Sequence, residues 1–188
     1  MGLPEGDTKE PALRSLTELM DREGVAYAVI GGLAVQLHSQ EPRTTRDIDL
    51  AIKTYDDVPA SQLRAAGFEH VGRFPHSDNW VAPGGGPMAS RTPVQFSADE
   101  LMAGAIERAR SIAVRGFRLP LVTAADLLQL KLRAAEDPSR RGSKRATDVA
   151  DILRLVEDHP DLSQSVPDLK DRLGAIQEHI LSPERDRY

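Results

Sequence analysis

The stretch GGLAVQLHSQEPRTTRDIDLAI, residues 31 to 52, restricts what this chain can fold into more than any other part of it. Ile48, Leu50 and Ile52 alternate with Asp47, Asp49 and Ala51, which is the period of a strand with one buried face. Alternation sends the aliphatic side chains into a core and sets Asp47 and Asp49 side by side on the other face. Two carboxylates so close repel each other, and burying them unpaired is costly. A divalent cation removes both problems. Magnesium suits them, because it is a hard ion that binds through one or two carboxylates plus substrate phosphates.

The residues just before this strand add phosphate chemistry. Gly31 and Gly32 end an apolar strand, VAYAVI at 25 to 30, and open a helix that runs through His38. Small residues there let a phosphate approach the backbone, and a helix N-terminus favours anions. Arg43, Thr45 and Arg46 then lead into the acidic strand. Arginine pairs bidentately with phosphate, and threonine donates a hydrogen bond. Taken singly, Gly-Gly reads as a turn, Asp-x-Asp as a solvated edge and the arginines as surface pairs worth little. Their order and spacing, and the apolar residues between the aspartates, favour a site.

The rest of the chain frames that site. A polar tail at 1 to 8 precedes a helix from about Lys9 to Glu23, with Leu13, Leu16, Leu19 and Met20 at helical spacing and Gly24 as its stop. After the acidic strand, Thr54-x-x-Asp57 predicts a capped helix ending at Gly67. Strands are expected at 68 to 74 and 92 to 96, with PGGGP, 83 to 87, as a turn between them. Ser97-x-x-Glu100 caps a short helix, and IAVRGFRLP, 112 to 120, reads as a tight hairpin or an irregular strand. Beyond it the pattern is helical. Thr123-x-x-Asp126 opens one helix, the polar basic stretch PSRRGSKR at 138 to 145 breaks it, and TDVADILRLVED forms another. Ser165-x-x-Asp168, with Pro167 in the first turn, opens the last, to about Leu181. The expected fold class is α+β: a mixed core over 9 to 120 and a C-terminal helical part over 121 to 182.

Composition narrows the chemistry. The 188 residues suffice for one core or a core with a small helical appendage. The absence of cysteine excludes disulfides, thiolate zinc sites and cysteine nucleophiles. The five histidines are scattered without metal-ligand spacing. A net charge of -5 gives no global pull toward nucleic acid, so any such binding needs a local patch, and Arg140, Arg141, Lys144 and Arg145 form the dense one. Its plain alternative is a solvated loop. The start MGLPEGDTKE does not read as a signal peptide, and no apolar run approaches the ~20 residues of a membrane span, so no membrane association and a cytoplasmic location are expected.

The Gly-Gly turn followed by Arg43-Thr44-Thr45-Arg46-Asp47-Ile48-Asp49 resembles the nucleotidyltransferase superfamily with the polymerase-β-like fold. Downstream, Lys131 followed by Arg145-x-x-Asp148-x-x-Asp151 resembles the signature of the AbiEii/AbiGii toxin-like nucleotidyltransferases, the group that includes the MenT toxins. The likeness runs from about Val25 to Leu155. It implies a polymerase-β-like core, a mixed sheet flanked by helices, that moves a nucleoside monophosphate from an NTP to an acceptor hydroxyl. It further implies that Asp47 and Asp49 bind Mg2+, that Gly31 and Gly32 contact the triphosphate, and that Arg43 and Thr45 match motif positions near the nucleotide. Lys131 would contact triphosphate oxygens, and Asp148 would serve as a base or orienting group. Arg46 and Arg145 complete the nucleotide-binding set. The acceptor it implies is the 3′ end of tRNA, with a cognate antitoxin as partner. Antibiotic-type nucleotidyltransferases share the front motif, so a small hydroxylated acceptor stays open.

Read without the resemblance, Lys131 in a leucine-rich helix snorkels to solvent, and Asp148 and Asp151 are early-helix acids or partners of Arg145 and Arg154. Many superfamily members also carry a third carboxylate on a later strand. Here the best position is Gln95 in TPVQF, which is neutral; Asp99 reads as a helix-start residue and Asp78 is another candidate. That departure leaves room for a non-catalytic nucleotide-binding module.

Overall fold

The computed structural model describes residues 9 to 41, 43 to 85 and 87 to 181; the tail expected at 1 to 8 and Gly86 of the glycine turn lie outside them. The alternating and apolar segments condense into one seven-stranded mixed sheet with strand order β3-β4-β5-β2-β1-β7-β6. Its strands are β1 (Tyr27–Ile30), β2 (Ile48–Ile52), β3 (Glu69–Phe74), β4 (Ser77–Val81), β5 (Pro93–Ser97), β6 (Arg110–Val114) and β7 (Phe117–Leu121). β2 runs antiparallel to β1 and parallel to β5, and β7 runs parallel to β1. The remaining neighbours are antiparallel hairpins or ladders. This is the mixed sheet flanked by helices that the sequence predicts.

Two compact units divide the chain. One contains the sheet and runs to Leu37 and then on to Thr123; the other joins His38–Glu41 to the chain from Ala124 onward. In the first, α1 (Lys9–Arg22), α2 (Gly31–His38), α3 (Ala60–Ala65) and α4 (Glu100–Arg108) flank the strands. The central strands are covered on one face. Ile48, Leu50, Val94, Phe96 and Trp80 on that face are all buried, and the guanidinium carbon of Arg64 on α3 lies 5.3 Å from the centre of the Trp80 ring. In the second unit, α5 (Ala124–Glu136), α6 (Gly142–Asp158), α7 (Leu162–Ser165) and α8 (Leu169–Ile180) pack through Leu127, Leu128, Leu132, Ile152 and Leu155. Among the described residues, no helix is long and apolar enough to cross a membrane.

Several local expectations are corrected. The Thr54 signal makes only a 3-10 turn, Tyr55–Asp57, in which the Asp57 carboxylate accepts from the Thr54 N–H at 3.0 Å. Val58, which precedes Pro59, is extended, so the helix restarts as α3 and Gly67 follows it with φ +86. Ser97 belongs to β5; the residue that caps α4 is Asp99, whose carboxylate accepts from the Met102 N–H at 3.0 Å. The 112 to 120 segment is a hairpin, turned by Arg115 (φ 44) and Gly116 (φ 84), both in the left-handed region that a tight hairpin requires. The basic stretch is shorter than expected, because α6 starts at Gly142 and takes Lys144 and Arg145 into its first turn. Ser165 ends α7, its hydroxyl donating to the Leu162 carbonyl, and α8 starts after Asp168. The strand β4 was not anticipated; its apolar residues Trp80 and Val81 follow three polar ones, which hides the period.

Candidate active site

The two glycines and the acidic strand meet. Gly31 is the first residue of α2 and has φ +66, which a side chain adopts only under strain. Asp49, on β2, is the register partner of Ile30, the residue before it. The Asp49 carboxylate packs so closely on the Gly31 Cα that a Cβ there would lie 2.6 Å from the Asp49 Cγ. Gly32 is covered in the same way by the other motif residues. A Cβ on Gly32 would lie 2.8 Å from the Thr45 hydroxyl and 2.9 Å from the Arg43 Cζ. The sequence reads this pair as room for phosphate; in the structure, what comes close to the glycine Cα atoms is Asp49, Arg43 and Thr45. Five of the candidate residues therefore form one constellation, and it depends on hydrogen at both Cα positions.

Asp47 stands immediately before β2 and, like Asp49, is half-buried; Arg46 is exposed. The Arg43–Asp47 segment is tied to α1 by Lys9, a buried residue whose Nζ donates to the Thr45 carbonyl. Sequence reading missed Lys9. A lysine at the start of an amphipathic helix carries no signal of burial, since its stem usually lies along the surface with its charge in water.

Gln95 lies on β5 directly beside Asp49, so it shares that face of the sheet. Its amide donates to the Ser97 hydroxyl at 3.2 Å. Asn79 on β4 lies beside Gln95 in turn, and its Oδ1 is buried with no hydrogen-bond partner among the described residues. Asp78, one residue earlier, pairs in register with Phe96 and so faces the opposite side. There it is buried and meets the His70 Nε2 at 2.7 Å. Of the three side chains considered for a third acidic position, only the neutral Gln95 borders Asp49. Among the described residues no group of three or more His, Cys, Asp or Glu side chains is placed to hold a metal. Asp47 and Asp49 are the two carboxylates that could hold a magnesium ion, a hard-oxygen donor pair of the kind that ion takes.

The downstream candidates cluster in the helical unit. Lys131 on α5 is buried rather than solvated, with its Nζ 2.8 Å from Asp148 Oδ1 and 2.8 Å from Asp151 Oδ2. Both aspartates lie on α6 three residues apart, on one helix face. Arg140 reaches the second oxygen of Asp148 at 3.1 Å, and Arg154 approaches Asp151 at 3.6 Å and Glu41 at 3.7 Å. Arg145 does not join them. It is buried, and its Nε donates to the Ala135 carbonyl at 2.7 Å, near the end of α5, where the last carbonyls lack helical partners. Arg140 and Arg141 are what remain of the basic stretch ahead of α6.

No protein-family model matches the sequence, and no curated relative matches it significantly. Solved structures do match. The chain is similar to an antigenic nucleotidyltransferase-like protein from Paracoccidioides brasiliensis, with TM-score 0.58 and 22% identity over 93% of this chain and 95% of that one. It is similar to the antibiotic-resistance factor ANT(2'')-Ia, with TM-score 0.57 and 13% identity over 92% and 97% of the two chains. It is also similar to the lincosamide antibiotic adenylyltransferase LnuA, solved with lincomycin bound, with TM-score 0.54 and 17% identity over 80% of this chain and 98% of that one. At these identities the likeness is one of fold, and the chain is built on the nucleotidyltransferase fold.

Proposed function

We propose that the chain transfers a nucleoside monophosphate from an NTP to an acceptor hydroxyl. The observation that carries this reading is the Gly31–Asp49 contact with Arg43 and Thr45 packed on Gly32 beside it: phosphate-pairing groups fixed against a carboxylate on a half-open sheet face. The fold and the resemblance to polymerase-β-like enzymes support it. In the reaction the acceptor oxygen forms a bond to the α-phosphorus, the bond from that phosphorus to the β-phosphate bridging oxygen breaks, pyrophosphate leaves, and the hydroxyl proton passes to solvent. Asp47 and Asp49 are the residues that would hold Mg2+, which supplies charge neutralisation on the triphosphate. Arg43 and Arg46 pair with phosphate oxygens, and the Thr45 hydroxyl donates to one. Gly31 and Gly32 keep these groups in position. Lys131 and Asp148 take part, by the resemblance, at the pyrophosphate end and as an orienting group, and Arg145 supports α5 behind them.

The AbiEii/MenT-like resemblance makes tRNA the acceptor and gives the chain a toxin role opposed by a cognate antitoxin; Arg140 and Arg141 are the cations that favour RNA. The neutral Gln95 beside Asp49 favours a second reading, a binding module that keeps NTP affinity and lacks transfer. Pyrophosphate release from each of the four NTPs, with magnesium and total tRNA and with Asp49→Ala alongside, separates them. Release that needs tRNA and vanishes in the variant supports the tRNA-directed transferase. Release without tRNA points to another acceptor, and NTP binding without release supports the binding module.

A further inference from the structure

Residues 38 to 41 leave the end of α2 and belong to the helical unit, where they are held by the C-terminal end of α6. His159, the residue after α6, donates from Nε2 to the His38 carbonyl at 3.0 Å, and its ring meets the His38 ring edge-on at 5.8 Å between centres. That carbonyl belongs to the last turn of α2, where helical partners run out, so His159 satisfies it from outside the helix. Beside it the Asp158 carboxylate accepts from the Gln40 N–H at 2.8 Å. A charged acceptor makes this the stronger kind of hydrogen bond. Arg154, one turn earlier on α6, lies 3.7 Å from Glu41, whose side chain is 72% exposed, so that pair adds little.

Both ends of this stretch lead into the candidate site. Upstream, α2 begins at Gly31 and Gly32. Downstream, one residue separates Glu41 from Arg43. The chain therefore leaves Gly32, runs along α2, turns through 38 to 41 and returns to lay Arg43 and Thr45 on Gly32. The ends of this closed loop meet at the glycine, and its turn is hydrogen-bonded to Asp158 and His159. Arginine pairs with phosphate in a planar two-point geometry, which a misplacement of about 1 Å spoils. We propose that Asp158 and His159 are positioning residues: by holding the turn at 38 to 41, they fix where Arg43 and Thr45 stand for the triphosphate. This role rests on the transferase reading above and assigns part of its NTP affinity to two residues that act through Arg43.

The test compares three changes in the full chain. The first is the pair Asp158→Ala with His159→Ala. The second is the pair Asp158→Asn with His159→Gln, which keeps an acceptor and a donor on the same two side chains. The third is Glu157→Ala, an exposed neighbour on α6. Equilibrium binding of ATP, GTP, CTP and UTP with magnesium gives the affinity. The nitrogen NMR signal of the Arg43 side chain, assigned with Arg43→Lys, reports its placement without any nucleotide, and a thermal midpoint confirms that each variant folds. In the alanine pair the Arg43 signal should move and the affinity for the best-bound NTP should fall about tenfold. The conservative pair should restore both, and Glu157→Ala should change neither. An Arg43 signal that stays in place, or an NTP affinity unchanged by the alanine pair, overturns the positioning role. So does an equal loss in both pairs, which makes the effect one of α6 stability. A signal that moves and is restored, in a chain that binds none of the four NTPs, leaves the positioning of Arg43 standing and removes the transferase reading instead.

Discussion

Two of the close aspartate pairs in the molecule are treated in opposite ways by the structure. Asp148 and Asp151 on α6 are buried, and one lysine, Lys131, lies 2.8 Å from each. Asp47 and Asp49 at the start of β2 stay half-exposed, with a glycine Cα rather than a bulky side chain against Asp49. The first pair carries its counter-charge in the fold. The second lies half-exposed on the sheet, close to Arg43 and Thr45. Two acids near arginines therefore mean little as a sequence pattern, and what lies opposite them decides their use.

The largest effect should come from taking away the built-in cation. Lys131→Met leaves two buried carboxylates with Arg140 and Arg154 at their outer edges, and the loss of stability on urea denaturation should be about 3–5 kcal/mol. Adding Asp148→Asn and Asp151→Asn to the same chain should recover most of it. A Lys131→Met protein that is fully stable would break the contrast and leave Lys131 only its part at the pyrophosphate end. For the open pair the expected pattern is reversed: Asp49→Asn should lower NTP-dependent pyrophosphate release by about 10²–10³-fold while the denaturation midpoint stays close to that of the unsubstituted chain. Gly31→Ala tests the close approach itself. The left-handed backbone and the collision with Asp49 should together cost about 1–3 kcal/mol. Gly24→Ala is the control, since Gly24 has a similar φ of +67 with nothing within 4 Å of the added carbon. If the two alanines cost the same, the Asp49 contact contributes nothing. The smallest effect belongs to Arg140→Ala, whose side chain is 42% exposed; its removal should change stability by less than about 1 kcal/mol in the same measurement.

The core of the fold was legible because its signals are local. The period-two run through Ile48, Leu50 and Ile52 and the glycine pair before it mark β2 and the start of α2, and both are where the sequence puts them. Capping patterns were less faithful. Ser97 and Asp99 both stand near the start of α4, and only the backbone geometry decides that Asp99 takes the cap. The Thr54 signal did form its hydrogen bond, but Pro59 stopped the helix from continuing. At the site, the spacing of Gly31, Gly32, Arg43, Thr45 and Asp49 could suggest that they belong together, though not that the glycines exist to admit the other three. The registry of Asp49, Gln95 and Asn79 was beyond reach, because it arises from strands far apart in sequence and from the unanticipated β4. The burial of Lys131 and Arg145 was hidden for a different reason: long cationic side chains look alike in sequence whether their ends reach water or a buried oxygen.

One contact has a practical side. Lys9 reaches across 36 positions to hold the carbonyl of Thr45, so the first turn of the first helix helps to hold the loop that carries Arg43. Trimming the chain past residue 9, or fusing a rigid partner directly onto that helix, should disturb substrate binding from a distance. Purification tags and reporters belong on a spacer well ahead of it.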